Sequence, residues 1–342
     1  MAERSNMGKQ PTIKDVAREA GVSTTTVSRY LNKATNITSE IAQRIEQAIK
    51  QTNYHPNLLA RGLKTNKSQM IALIVPDICN PFYSLMAKTA QRAVEQYGYL
   101  LSFHDTDNDP AKEEAALHLA QQQNCSGILY ASIDFRTQAL RQLQQASIPV
   151  VGLNAYSENF PSDLVHVSDG GTYLAMQHLL QLGHKRIAFV GGTPSSMISV
   201  SRRRGYTRAM KEAGLTWNSD DIFEMGFTQE DGYKAGRYFC TFNPLPTAIC
   251  CANDQIALGL IEALQDLGVS VPEQISVTGM DDIPYSRLAK PSLTTVTNDG
   301  AQFAQTGVQL LLERINGTYI GEKRTIEIPN QLIKRNSTCS LT

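Results

Sequence analysis

A helical period broken by a single glycine constrains the start of this chain more than any other feature. In PTIKDVAREAGVSTTTVSRYLN (residues 11–32), Thr12 is placed to cap a helix that begins at Ile13, with Asp15 in its first turn. Ile13, Val16, Ala17 and Ala20 recur at helical spacing and form one apolar stripe. Gly21 then ends the helix, because it adopts the left-handed conformation that a Cβ resists. Ser23 caps a second helix, Thr24 to about Leu31, with Val27 and Leu31 facing inward. A third follows from about Ser39, with Ile41, Ile45, Ala48 and Ile49 on one side. Three short helices with a tight glycine turn between the first two form a helix-turn-helix.

The second helix leaves Thr24, Thr25, Ser28 and Arg29 facing outward. These are short hydrogen-bonding groups and one arginine, of the kind that reach base edges or phosphates. Threonines are also mediocre helix formers, so the run can equally be read as an exposed helix start. Charge bears on the choice. Residues 1–70 carry 11 Lys+Arg against 5 Asp+Glu, a net +6, and the remainder carries 21 against 27, a net −6. A basic head on an acidic body points to a polyanion as partner of the head, although a merely solvated basic tail fits the charge equally well.

The same stretch strongly resembles the head of the LacI/GalR family of bacterial repressors. The resemblance implies an operator of double-stranded, pseudo-palindromic DNA, with Thr24, Thr25 and Arg29 reading bases in the major groove. It also implies phosphate contacts from Thr12, Ser23, Ser28 and Asn32. After this head, residues 56–68 read as a linker or a marginal helix. Pro56 suits a first turn, but Asn57 to Lys64 spans about two turns, too short to stand alone, and Gly62 weakens it further. In the family such a hinge enters the minor groove and a leucine wedges between base steps; Leu63 matches that position.

From Met70 the pattern changes. Apolar runs such as MIALIVP, GYLLSFHD, GILYASI, PVVGLN, RIAFVGG, TAICCA and ISVTGMD alternate with helical stretches. This predicts doubly wound parallel sheets with helices on both faces, and functional groups just past the carboxyl ends of the strands. Asp77, Tyr83, Arg202, Phe227, Asn253 and Asp281 all lie in segments that follow such runs. Carboxylates, an amide and an arginine suit sugar hydroxyls, and aromatic rings suit a sugar's C–H face. Each also has a plainer reading: Asn253 and Asp281 as helix caps, Arg202–Arg204 as an exposed basic face. The six cysteines form no CxxC pair and no histidine stands at metal spacing, so neither metal nor cofactor is expected. Nor is there a dinucleotide fingerprint, a P-loop or a nucleophile elbow, which argues against an enzyme. The Asp-rich FHDTDNDP reads as a helix-capping turn.

The body, too, resembles the LacI/GalR core, itself similar to periplasmic sugar-binding proteins, through IVPDICNPFY, LGHKRIAFVGG, RRRGY, ANDQIALG, GMDD and PSLTTV in family order. The resemblance implies three parts: a head over 1–55, a hinge over 56–68 and an effector-binding, dimerising core over 69–342. Within the core it implies one subdomain of about 69–166 and 297–326, and a second of 167–296 and 327–342. It implies effector contacts from Asp77, Tyr83, Asn154, Arg202, Phe227, Asn253 and Asp281. Asn154 departs from the aspartate common in the family, which keeps hydrogen bonding and removes a charge. With no heptad after the last strand, a homodimer is expected. With no apolar leader and no long apolar run, the expected setting is the cytoplasm, without a membrane. The expected function is a repressor of a carbohydrate-use operon, released by a small sugar or sugar phosphate. The alternatives are a repressor that needs a purine or a phosphorylated carrier protein as corepressor, and a sugar-binding transport component.

Overall fold

The structure is a computed structural model that describes residues 11–31, 37–54, 68–133, 137–154, 160–167 and 170–341. The chain divides into two compact units, Met1–Ser68 and Gln69–Thr342. In the first unit stand α1 (Ile13–Ala20), α2 (Thr24–Leu31) and α3 (Ser39–Thr52). Thr12 begins α1 by donating its backbone N–H and its hydroxyl to Asp15 Oδ2, at 2.9 and 2.7 Å. Those two bonds, with Arg18 beside them, hold the Asp15 carboxyl below its usual range. Gly21 closes α1 at φ 62°. A Cβ there would stand 2.6 Å from Arg44 Nη2, and that nitrogen donates to the carbonyls of Ala20 and Gly21 at 2.7 and 3.3 Å. The third helix thus reaches back and fastens the turn between the first two.

Ser23 Oγ accepts the Thr26 N–H at 3.1 Å and starts α2. Val16, Val27 and Ile45 are completely buried between the three helices, with Ala17, Ala20 and Ala48 around them. Leu31, Ile41 and Ile49 pack half-buried at the margin of this core. Asn53, in the left-handed region at φ 50°, ends α3. Asn32 and nearly all of the hinge, Leu63 included, lie outside the described residues.

Among the described residues, the second unit holds two six-stranded sheets. The first is built from β1 (Met70–Val75), β2 (Leu100–Asp105), β3 (Gly127–Ala131), β4 (Val150–Leu153), β5 (Asp163–Val167) and β11 (Thr325–Ile328). The second takes β6 (Ile187–Gly191), β7 (Ile222–Glu224), β8 (Ala248–Cys251), β9 (Ser276–Asp281), β10 (Thr294–Thr297) and β12 (Leu332–Ile333). Edge to edge the orders are β2-β1-β3-β4-β5-β11 and β7-β6-β8-β9-β10-β12. Every pairing is parallel except β10 with β12. Both sheets therefore have the doubly wound order whose switch point lies between the first and third strands.

Burial on both faces accounts for the continuous apolar runs. Ile71, Leu73 and Val75 of β1 join a core with Phe82 and Phe303. Ala72 and Ile74 join a separate one with Leu117 and Leu143. Cys250 and Cys251 are free thiols buried in β8, and burial pushes both well up, Cys250 to about 12. Asp109 caps the helix Pro110–Gln122 by accepting from Ala111 N–H at 2.8 Å, as the Asp-rich turn suggested. No helix among the described residues is long and apolar enough to cross a membrane.

The chain passes from the first sheet to the second after β5, returns after β10, and crosses again after β11. That last strand runs to Ile328, beyond the expected boundary at 326, so the final crossing falls between it and Leu332. The return is anchored at Asp163, whose fully buried carboxylate is gripped by Arg314 and Arg324, each through a 2.7 Å ion pair. Tyr319 lies against both guanidinium groups, at 4.6 and 3.9 Å from its ring centre.

Two helices of the second sheet touch backbone to backbone. A Cβ on Gly232 of Gln229–Phe239 would stand 2.0 Å from Ile256 O, and one on Gly259 of Asp254–Asp266 would stand 1.8 Å from Gln229 O. Neither neighbour is a side chain that can swing aside. Gly259→Ala is therefore expected to destabilise the second unit by about 1–3 kcal/mol, read from urea denaturation of the full chain; an unchanged midpoint would show the helices free to part.

Candidate functional site

Past the carboxyl ends of strands from both sheets lies a cavity of about 160 Å3. All seven residues expected to contact an effector line it. Asp77 follows β1, and its Oδ1 accepts the Cys79 N–H at 2.8 Å. Asn80 caps the next helix and Pro81 occupies its first position, which turns Tyr83 inward from Pro81–Glu95. Burial, with Asp281 near, raises the Tyr83 phenol above its ordinary value, so it remains a neutral hydroxyl. Asn154 follows β4 at φ 54°, a left-handed conformation that asparagine tolerates better than most residues.

The opposite wall comes from the second sheet. Arg202 projects from the helix Met197–Glu212 and donates through Nη1 to Ala252 O at 2.6 Å. Its Nη2 lies 3.5 Å from Asp281 Oδ1, with both side chains buried. Asp281 ends β9 at φ 116°, a strained backbone position for a residue with a side chain. Burial raises its carboxyl to about 6, although Arg202 and a hydrogen bond from Asn298 pull the other way. Phe227 lies with the far edge of its ring over Gly192, where a Cβ would come within 2.2 Å. The Arg202 guanidinium carbon is 5.9 Å from the Phe227 ring centre.

The plainer readings divide. Asn253 is a helix cap: Oδ1 accepts from Ile256 N–H at 2.8 Å, and Nδ2 donates to Phe227 O at 3.0 Å. Its amide is committed at both ends and holds the Phe227 loop against the second sheet. Asp281 caps no helix, because the next one, Pro284–Leu288, starts from Ile283. Of the three arginines Arg202 is buried, Arg203 pairs with Glu224 at 2.7 Å, and Arg204 is exposed.

Asn298 is the residue the sequence reading missed. It stands just beyond β10, is 2% exposed, and donates through Nδ2 to Asp281 Oδ1 at 3.1 Å. Its neighbour Asp299 caps the helix Gly300–Ile315, so TNDG reads from sequence as a cap and nothing more. Among the described residues, three buried atoms of the cavity lining have no partner: the carbonyl oxygens of Asn154 and Asn298, and Nε of Arg202. The Asn298 orientation is fixed chemically, since turning the amide would set its oxygen against the Asp281 carboxylate.

In the first unit Thr24, Thr25 and Arg29 are exposed along α2, and Ser28 is half-buried. Thr12 and Ser23 are exposed too, but their hydroxyls are engaged with Asp15 and Thr26. The outward hydrogen-bonding groups of α2 are thus the two threonines and the arginine.

Residues 12–57 match the family described as bacterial regulatory proteins, lacI family, and residues 176–338 match a periplasmic binding protein-like domain. The HTH-type transcriptional repressor PurR of Haemophilus influenzae (strain PittEE) is 37% identical over 335 residues, covering 96% of this chain and 99% of that protein. Among solved structures, the lac repressor dimer bound to operator and the anti-inducer ONPF is similar with a TM-score of 0.86. It is 28% identical and covers 97% of this chain and 100% of that one. The transcriptional regulator CelR in complex with cellobiose has a TM-score of 0.73 at 26% identity, covering 96% of this chain and 99% of that one.

Because burial raises the Asp281 carboxyl to about 6, its strength as an acceptor changes over an accessible range. Its carboxylate accepts more strongly when ionised, so a ligand that donates to it is expected to bind more weakly as pH falls from 7.5 to 5. Calorimetry at both pH values, with Asp281→Asn as the pH-insensitive reference, checks this; equal slopes in the two proteins would assign the dependence elsewhere.

Proposed function

We infer that this chain, which belongs to the LacI/GalR family of bacterial transcriptional repressors, holds an operator as a homodimer and responds to a neutral, hydroxyl-rich small molecule. DNA binding and repression follow from the family. The effector and the roles of individual residues are our reading, and the unpartnered atoms of the cavity carry it. Asn154 Oδ1 and Asn298 Oδ1 are buried acceptors without donors, and Asp281 adds a carboxylate beside them. A buried acceptor left unsatisfied costs about 1–3 kcal/mol, so the favoured ligand supplies donors, as sugar hydroxyls do. Arg202 Nε provides one donor in return. Among the described residues, Asp77, Asp231 and Asp281 line the cavity against one cation, Arg202, which disfavours a phosphorylated sugar.

A purine corepressor is the second reading, favoured by the similarity to PurR over 96% of this chain. A purine carries ring-nitrogen acceptors as well as N–H donors and so needs protein donors too, and among the described cavity residues Arg202 Nε is the one buried donor atom left without a partner. On the sugar reading the ligand releases the operator; on the purine reading it tightens the grip.

Operator contact is assigned to Thr24, Thr25, Ser28 and Arg29, with Thr12, Ser23 and Asn32 toward phosphates and Leu63 as the minor-groove wedge. The dimer is assigned to the apolar face around Tyr285 and Leu288, which are 57% and 67% exposed beside a groove that includes Leu258 and Ile261. Two such faces related by a twofold axis would cover each other and set two heads on a pseudo-palindrome.

The test is fluorescence anisotropy on an operator selected from a randomised palindromic library, at fixed salt, with monosaccharides, disaccharides, sugar phosphates and purines. We expect a neutral sugar to weaken binding and Arg202→Ala to abolish the response. Release by a phosphorylated sugar, or tightening by a purine, would replace this reading. Thr25→Ala should cost about 1–3 kcal/mol at one or two base pairs, whereas Leu63→Ala should weaken specific binding more than non-specific. Leu288→Asp should yield monomers in sedimentation and a corresponding loss of operator affinity; a persistent dimer would move the interface to another face.

A further inference from the structure

Phe227 stands beyond a short, one-sided support. The strand before it, β7, is three residues long and, among the described residues, pairs only with β6 at the edge of the second sheet. Ladder bonds from one neighbour do little to aim the chain beyond them. After the ring, Thr228 and Asp231 form a capping box, and Asn253 Nδ2 donates to the Phe227 carbonyl at 3.0 Å. These contacts hold the backbone downstream. Upstream the holding group is Glu224, the last residue of β7.

Glu224 Oε2 accepts from Arg203 Nη1 at 2.7 Å, and Arg203 follows Arg202 on the helix Met197–Glu212. Successive helical residues point about 100° apart. One helical turn therefore sends Arg202 into the cavity and Arg203 to the strand that leads to Phe227. Two glycines in sequence make room on the other side. A Cβ on Gly191 would stand 2.6 Å from Glu224 Cγ, just as one on Gly192 would stand 2.2 Å from Phe227 Cζ. The Glu224 side chain and the Phe227 ring thus lie against consecutive residues at the end of β6.

This placement is costly for a carboxylate. The Glu224 side chain is 9% exposed, and its Oε1 is buried with no partner among the described residues. Burial raises the carboxyl, although Arg203 pulls the other way. A pair that only tied surface elements together could stay in water, as Arg208 and Glu212 do on the same helix. Drawn under the helix, the Glu224 side chain has one direction open to it.

We propose that Glu224 and Arg203 are positioning residues of the effector cavity: their pair aims the turn after β7 so that the Phe227 ring stays seated on Gly192, beside Arg202. Neither residue is part of the cavity lining, so both act through the ring. This rests on the reading of Phe227 as an effector contact and supplies what holds it in place.

A crystal structure of Glu224→Ala without added sugar reads the ring position directly. The ring is expected to leave Gly192, and Glu224→Gln, whose amide oxygen still accepts from Arg203, is expected to restore it. A ring still seated in Glu224→Ala would overturn the proposal. Arg203→Met removes the same contact from a partly exposed position and keeps the test open if Glu224→Ala fails to fold. Calorimetry of the full chain with D-galactose, D-ribose and maltose reads the effect on binding. For each of these that binds the unaltered chain, Glu224→Ala is expected to weaken binding about two- to tenfold, comparable to one aromatic contact, with Glu224→Gln restoring it. Gly192→Ala displaces the ring while leaving the ion pair intact. If both substitutions act through the ring, the double variant binds no more weakly than Gly192→Ala alone; additive losses would overturn the proposal. Absence of binding by all three sugars counts against the neutral-sugar reading, and the ring position still decides this one.

Discussion

Two carboxylates buried at neighbouring strand ends, Asp254 and Asp281, organise the second sheet and the cavity beside it. A buried carboxylate costs several kcal/mol unless donors replace its water. Asp254 is wholly buried and accepts from Ser286 Oγ at 2.6 Å, Thr295 Oγ1 at 2.5 Å and the Ile283 N–H at 3.0 Å. Burial and the nearby Asp281 still push it up to about 8. Those three donors tie the loop after β9 and the start of β10 to the first turn of Asp254–Asp266. Asp281 is answered by Arg202 from another helix and by Asn298 from the return crossing. Of the two, Asp281 faces the cavity, and the burial of its charge is offset by Arg202 and Asn298, which line the cavity with it.

Much of this was legible from residues alone. Parallel strands buried on both faces leave an unbroken apolar signature, and the carboxyl ends of such strands are where side chains converge. Asp77 and Asp281 could therefore be picked out by following each run to its end, whereas Asn154 entered through the family resemblance. The turn at Gly21 was readable because only glycine takes that conformation at little cost. Asn298 was not readable, because its role comes from the second sheet placing β10 beside β9. Its local sequence describes only the cap made by Asp299. The double commitment of Asn253 escaped for the same reason: its partner Phe227 lies 26 residues away, brought near by the glycine contacts between two helices.

The similarity to repressors named PurR and the acceptor-rich wall bear on different levels of function. Identity across nearly the whole chain speaks to architecture and to DNA binding, which depend on many residues. Effector choice depends on a few atoms in one cavity, and a handful of substitutions can change it. The unpartnered oxygens of Asn154 and Asn298 belong to this chain's own cavity, and the sugar reading proposed above rests on them, whereas the purine reading rests on the resemblance across the chain.

The clasp of Arg44 on the turn of Gly21 bears on how the head can evolve. A side chain at position 21 would both strain the backbone and displace the guanidinium that holds two carbonyls of the turn. The angle between α1 and α2 is therefore not open to gradual adjustment, since the first step away from glycine loses both supports at once. The outward faces of Thr24, Thr25 and Arg29 take no part in that fastening. On the operator contacts proposed for those three residues, they can change while the frame is inherited unaltered, and a new DNA preference then needs only single exchanges.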